Sequence, residues 1–131
     1  MKKIMFIPVL LALTACAGTP SEINDDKVFF AFDSAELSSS AKSDLKAQSS
    51  YMKQNKDIKI VLEGHCDERG SSEYNLALGA LRAGNAAHVL IKDGIEPSRI
   101  KTISYGKENP QYKGTGEAVW AKNRNVTTKV K

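Results

Sequence analysis

Gly64-His65-Cys66-Asp67-Glu68-Arg69-Gly70 stands between two periodicities, and that change of period sets the local architecture. Upstream, Ile58, Ile60 and Leu62 alternate with polar residues, the pattern of a strand with one buried face over about 57–63. Downstream, Gly70, Ser71 and Ser72 close a loop. A helix then runs over about 73–92, with Ser71 or Ser72 able to cap it and Asp93-Gly94 to stop it. Asp67 and Arg69 therefore belong to a strand-to-helix loop. Asn75 and Arg82 are seven positions apart and share one stripe of the helix. The apolar face is expected to comprise Leu76, Ala80, Ala83, Ala87, Leu90 and Ile91, with Arg82 on its flank, free to reach over the loop.

The rest of the chain continues the alternation of strand and helix. Val28–Phe32 reads as a first strand, and Leu37, Ala41, Leu45, Gln48 and Met52 mark a helix over about 38–54 that Ser38 or Ser39 can cap. Ile100–Tyr105 reads as a third strand, residues 115–122 as a short helix and Val126–Val130 as a closing strand. The expected fold is α/β, a two-layer sandwich with helices packed on one face of a mixed four-stranded sheet.

The N-terminus carries an address. Lys2 and Lys3 precede the short apolar run Ile4–Leu13, and Leu13-Thr14-Ala15-Cys16 has the form of a lipobox. Residues 1–15 are expected to be a lipoprotein signal peptide, Cys16 the lipidated first residue of the mature chain, 16–27 a short linker and 28–131 the folded domain. The apolar run is too short for a good membrane span. Ala17, rather than aspartate, follows the cysteine, which resembles the outer-membrane sorting class. With Cys16 lipidated, Cys66 has no partner within the chain and is expected to be a buried small side chain. The formal charge of +4 falls to +2 without the two leader lysines. That balance gives no argument for nucleic acid.

A carboxylate and a guanidinium within one stretch suit a ligand bearing an ammonium and a carboxylate on one carbon. On the residues alone, a surface ion pair of Asp67 with Arg82 or Arg69 remains the alternative. The run GHCDERGSSEYNLALGALRA closely resembles the signature of OmpA-like peptidoglycan-binding domains, and in wording that of the peptidoglycan-associated lipoproteins. Phe30-Ala31-Phe32-Asp33-Ser34, Tyr105-Gly106 with Pro110, and Ala121-Lys122-Asn123-Arg124 resemble further landmarks of that family, although Asn125 replaces its second arginine and Arg124 is read as structural. The resemblance implies an OmpA C-terminal-like fold and a non-catalytic domain without a cofactor. It implies an outer-membrane lipoprotein facing the periplasm, binding the diaminopimelate of the peptidoglycan stem peptide through Asp67 and Arg82, with Asn75, Asp33, His65, Arg69 and Leu78 around them. It also implies a partner, the periplasmic β-propeller protein of the Tol system, and a place in cell division. A module serving mainly that partner is the runner-up. A Cys/His hydrolase or a metal site is disfavoured, because His65 and Cys66 are neighbours on an extended segment and point to opposite sides, and because His88 is the only other histidine.

Overall fold

A computed structural model describes residues 22–131. The leader, Cys16 and the first part of the linker lie outside the described residues. The elements run in the order β1 (Lys27–Phe29), α1 (Ser39–Gln54), β2 (Ile60–His65), α2 (Ser72–Lys92), β3 (Ile100–Gly106), α3 (Glu117–Asn123) and β4 (Asn125–Val130). A single 3-10 turn, Pro97–Arg99, leads into β3. The strands form one mixed sheet in the order β1-β4-β2-β3, in which only the β2–β3 pair is parallel. This is the expected α/β sandwich with a mixed four-stranded sheet.

Helices α1 and α2 cover one face. Leu45 and Met52 of α1, Ala83, Ala86 and Leu90 of α2, and Ile60, Leu62 and Val126 of the sheet are buried together. Fully burying each leucine or isoleucine among them stabilises the fold by about 1.5–3 kcal/mol. Side-chain oxygens of Ser38 and Ser71 accept from the backbone N–H groups of Ala41 and Tyr74 and cap the two helices.

The rotation of α2 departs from the hydrophobic pattern. Its buried residues are Asn75, Leu78, Gly79, Arg82, Ala83, Ala86, Ala87 and Leu90, whereas Leu76, Ala80 and Ile91 are exposed. The cause is a glycine pair. A Cβ on Gly64 would stand 1.9 Å from the carbonyl oxygen of Gly79, so the helix backbone lies directly on β2 at this point, and the face turned inward is the one that carries Gly79, whatever the size of its other residues. Arg82 is thereby turned from the flank into the interior.

The folded region also begins earlier than expected. Ile23 is buried in the core, the Asp25 N–H donates to the carbonyl of Thr128, and the Val130 N–H donates to Asn24 Oδ1. Residues 22–27 are part of the domain, not of a linker.

Candidate ligand pocket

The β2-to-α2 loop, the segment after β1 and the first turns of α2 enclose a cavity of about 400 Å³, lined among others by Asp33, Asp67, Arg69, Asn75, Leu78 and Arg82. Six of the seven residues expected at a ligand site thus meet in one place. The seventh, His65, does not bring its side chain there. Alternation along β2 turns His65 to the other face of the sheet and Cys66 to the helix side. The imidazole is buried, stacked on Tyr105 with ring centroids 5.4 Å apart, and its Nε2 is 3.5 Å from both Glu63 Oε1 and Gln111 Nε2. Burial lowers its pKa, against the opposing pull of Glu63.

Arg82 forms the floor. Its side chain is 1% exposed. Nε donates to the Ser34 carbonyl at 2.8 Å, Nη1 to the His65 carbonyl at 2.9 Å and to Cys66 Sγ at 3.5 Å, and Nη2 to the Ala31 carbonyl at 3.1 Å. These acceptors come from the segment after β1 and from the end of β2 with the residue that follows it, so the guanidinium ties the two together. It carries five N–H donors, and four are engaged in these bonds. One N–H of Nη2 has no acceptor among the described residues, and Arg82 lines the cavity. Burial lowers the pKa of Arg82, but a guanidinium starts so high that it stays charged near neutrality.

Asp67 is also buried, and it pairs with Arg69 and Arg124 instead of Arg82. Burial alone would raise its pKa. Hydrogen bonds from Arg69, with help from Arg124, reverse the sign and hold the carboxyl below the usual value. The Arg124 contact revises the purely structural reading of that residue. Its Nη1 is 3.4 Å from Asp67, Nη2 is 2.8 Å from Glu117, and Nε donates to the Phe30 carbonyl.

Asn75 donates to the carbonyls of Arg69 at 2.7 Å and Ser71 at 3.0 Å and so fixes the loop over the helix. Cys66 donates its S–H to the Asn75 carbonyl at 3.2 Å. The thiol is buried, and burial raises its pKa, so it stays neutral at the floor. Asp33 adopts a positive φ of 55° and accepts from the Tyr74 hydroxyl, a bond that raises the pKa of the phenol. Phe32, Tyr74 and Trp120 were not anticipated at the site. Phe32 and Tyr74 line the cavity, and the Arg69 guanidinium lies 3.8 Å from the Phe32 ring centroid and 4.1 Å from that of Trp120. Phe32 next to Asp33, and Tyr74 next to Asn75, are the signals in sequence for an aromatic wall.

Together these features define a small α/β binding domain, with a buried cationic floor and an ion-paired carboxylate at one end of its sheet. The chain belongs to the OmpA family, whose profile matches residues 29–124. It is 43% identical over 120 residues to a peptidoglycan-associated lipoprotein of Mesorhizobium japonicum, a match covering 87% of this chain and 71% of that one. It superposes with a TM-score of 0.79 on the crystal structure of the peptidoglycan-associated lipoprotein from Burkholderia pseudomallei, at 34% identity and covering 87% of this chain and 95% of the other. The C-terminal domain of Helicobacter pylori MotB shares the fold with a TM-score of 0.75 at 22% identity, covering 81% of this chain and 84% of that one.

Proposed function

We propose that this chain is a non-catalytic lipoprotein, anchored in the outer membrane through Cys16, whose pocket binds the diaminopimelate of the peptidoglycan stem peptide. The names of its relatives support wall association, and the pocket supports the ligand. One observation carries the reading. Among the described residues, the buried charge of Arg82 has no carboxylate within ion-pair distance, being held by three carbonyl dipoles and a neutral thiol. A buried cation matched only by dipoles favours an anion at its open side. The ligand carboxylate supplies that anion at Arg82 Nη2, and the ammonium on the same carbon turns to Asp67. Asn75 and Leu78 pack beneath the ligand, with Phe32 and Tyr74 at its sides.

Under this reading the domain holds the outer membrane to the wall and works within the Tol system in division. The test is co-sedimentation with purified sacculi. The protein should pellet with sacculi and be released by free diaminopimelate. Retention that diaminopimelate does not compete would refute the ligand. Radiolabelled palmitate should enter the parent chain and be absent from Cys16→Ala, and equal labelling of the two would refute the anchor.

A further inference from the structure

The hydrogen-bonding capacity of Asp67 is already filled. Its Oδ1 accepts from the Arg69 backbone N–H at 3.0 Å and from Arg69 Nε at 3.1 Å. Its Oδ2 accepts from Arg69 Nη2 at 2.8 Å and Arg124 Nη1 at 3.4 Å. A carboxylate offers about four lone-pair positions, so an arriving ammonium must displace a donor.

The two arginines are held differently. Arg124 is 8% exposed and is also fastened to the Phe30 carbonyl and to Glu117. Arg69 is 31% exposed, and apart from Asp67 its guanidinium has, among the described residues, only the faces of Phe32 and Trp120 and a 4.0 Å approach to Glu117. Arg69 is the one that can leave. Its backbone N–H stays on Oδ1 when the side chain swings out, so Asp67 keeps the loop in place and retains Arg124 throughout.

We propose that Arg69 is a built-in competitor for the ammonium position on Asp67, and that binding exchanges this internal pair for two pairs with the ligand, selecting a zwitterion over a plain amine. The proposal rests on the diaminopimelate reading above. A plain amine reaches Asp67 but moves the Arg69 guanidinium from a buried carboxylate to exposed Glu117, which Arg124 already holds. A plain carboxylate reaches Arg82 and leaves the Asp67–Arg69 pair closed. A ligand with both groups on one carbon delivers its ammonium to Asp67 and places its carboxylate where the displaced Arg69, together with Arg82 Nη2, can take it. Arg69 then changes from competitor to clasp.

The chain contains a single tryptophan, Trp120, and it sits against the Arg69 guanidinium. Its emission reports the exchange directly. The experiment titrates meso-diaminopimelate, cadaverine (both amines, no carboxylate) and pimelate (both carboxylates, no amine) into the purified chain and into Arg69→Gln, by calorimetry and by Trp120 fluorescence. In the parent, diaminopimelate should bind tightest and shift Trp120 emission, and pimelate should bind without that shift. In Arg69→Gln, cadaverine should gain about tenfold in affinity while diaminopimelate does not, so that the preference for the zwitterion narrows by that factor or more. Diaminopimelate that binds the parent by calorimetry without moving Trp120 emission, or a preference unchanged in Arg69→Gln, overturns the exchange and leaves the site's ligand standing. No calorimetric binding of diaminopimelate to the parent overturns the ligand reading and the exchange with it. The emission arm uses the parent alone, so it decides the matter even if Arg69→Gln folds poorly.

Discussion

Arg82→Lys separates a ligand arm from a structural frame. Lysine keeps the charge but replaces a planar fork with three donors clustered on one atom. The guanidinium reaches carbonyls at residues 31 and 34, after β1, and 65, at the end of β2, at 2.8–3.1 Å. An ammonium at the end of a shorter stem can meet only one of these three carbonyls at good geometry, so two charge-assisted bonds are lost. At about 1.5–3 kcal/mol each the loss would be about 3–6 kcal/mol. The residues carrying two of the carbonyls, Ala31 and Ser34, are not buried, so water replaces part of it, and we expect about 2–4 kcal/mol. For a domain of this size that lowers the melting temperature by roughly 10–20 °C. Urea unfolding and thermal melts followed by circular dichroism measure the change, with sacculus co-sedimentation run below the transition. Arg82→Lys that melts with the parent yet fails to pellet with sacculi would refute the framing role and make Arg82 chiefly a ligand arm.

Gly64→Ala should destabilise by about 3 kcal/mol or more, because its Cβ would fall 1.9 Å from the Gly79 carbonyl oxygen and the whole of α2 must move; Gly84→Ala, whose Cβ would meet nothing within 4 Å among the described residues beyond its own helix, should instead stabilise by about 0.5–1 kcal/mol, and denaturant midpoints compare the two. The pKa of His65 is lowered in the folded state, so the unfolded chain takes up the proton first as pH falls through the ordinary value of 6.5. Its contribution is intact above that pH and declines below it, and in stability profiles His65→Gln should flatten the slope just below pH 6.5; a slope unchanged in His65→Gln would show that another group titrates there.

How far sequence reaches into this molecule depends on the range of the interaction. The alternation of Ile58, Ile60 and Leu62, and the capping serines 38 and 71, are local signals, and they located strands and helices to within a few residues. The first strand is shorter than its aromatic, β-branched composition suggests: it ends at Phe29, and the chain turns at Phe32 and Asp33, the latter at positive φ. The loop position of Asp67 and Arg69 and the shared stripe of Asn75 and Arg82 are local geometry too, and these residues line one cavity. The burial of Arg82 was not legible. Hydrophobicity weights a helix face by its large apolar side chains, whereas here the face is chosen by backbone contact between Gly64 and Gly79, fifteen residues apart in sequence. The approach of Arg124 to Asp67, across 57 residues, likewise depends on β4 returning between β1 and β2.

That return also decides which way the pocket faces. Antiparallel β4 starts at Asn125 beside the pocket and ends at Val130, opposite Ile60 at the start of β2. The chain's first described residues fasten to that far end, Asn24 to Val130 and Asp25 to Thr128, while Cys66 and Asp67 follow β2's other end. Six residues of β2 at about 3.3 Å each put roughly 20 Å between the two ends. If Cys16 carries the lipid, the six residues from 17 to 22 that separate it from buried Ile23 can reach at most about 22 Å, less than the stretch 17–27 read as linker would allow. A tether that short keeps the Asn24 end of the sheet near its anchor, and the sheet itself becomes the spacer that carries the pocket outward from the membrane. On the proposed function, reach toward the wall therefore comes from the length of β2 and β4 as much as from flexible chain. It is rigid reach, with none of the entropy cost of an extended linker.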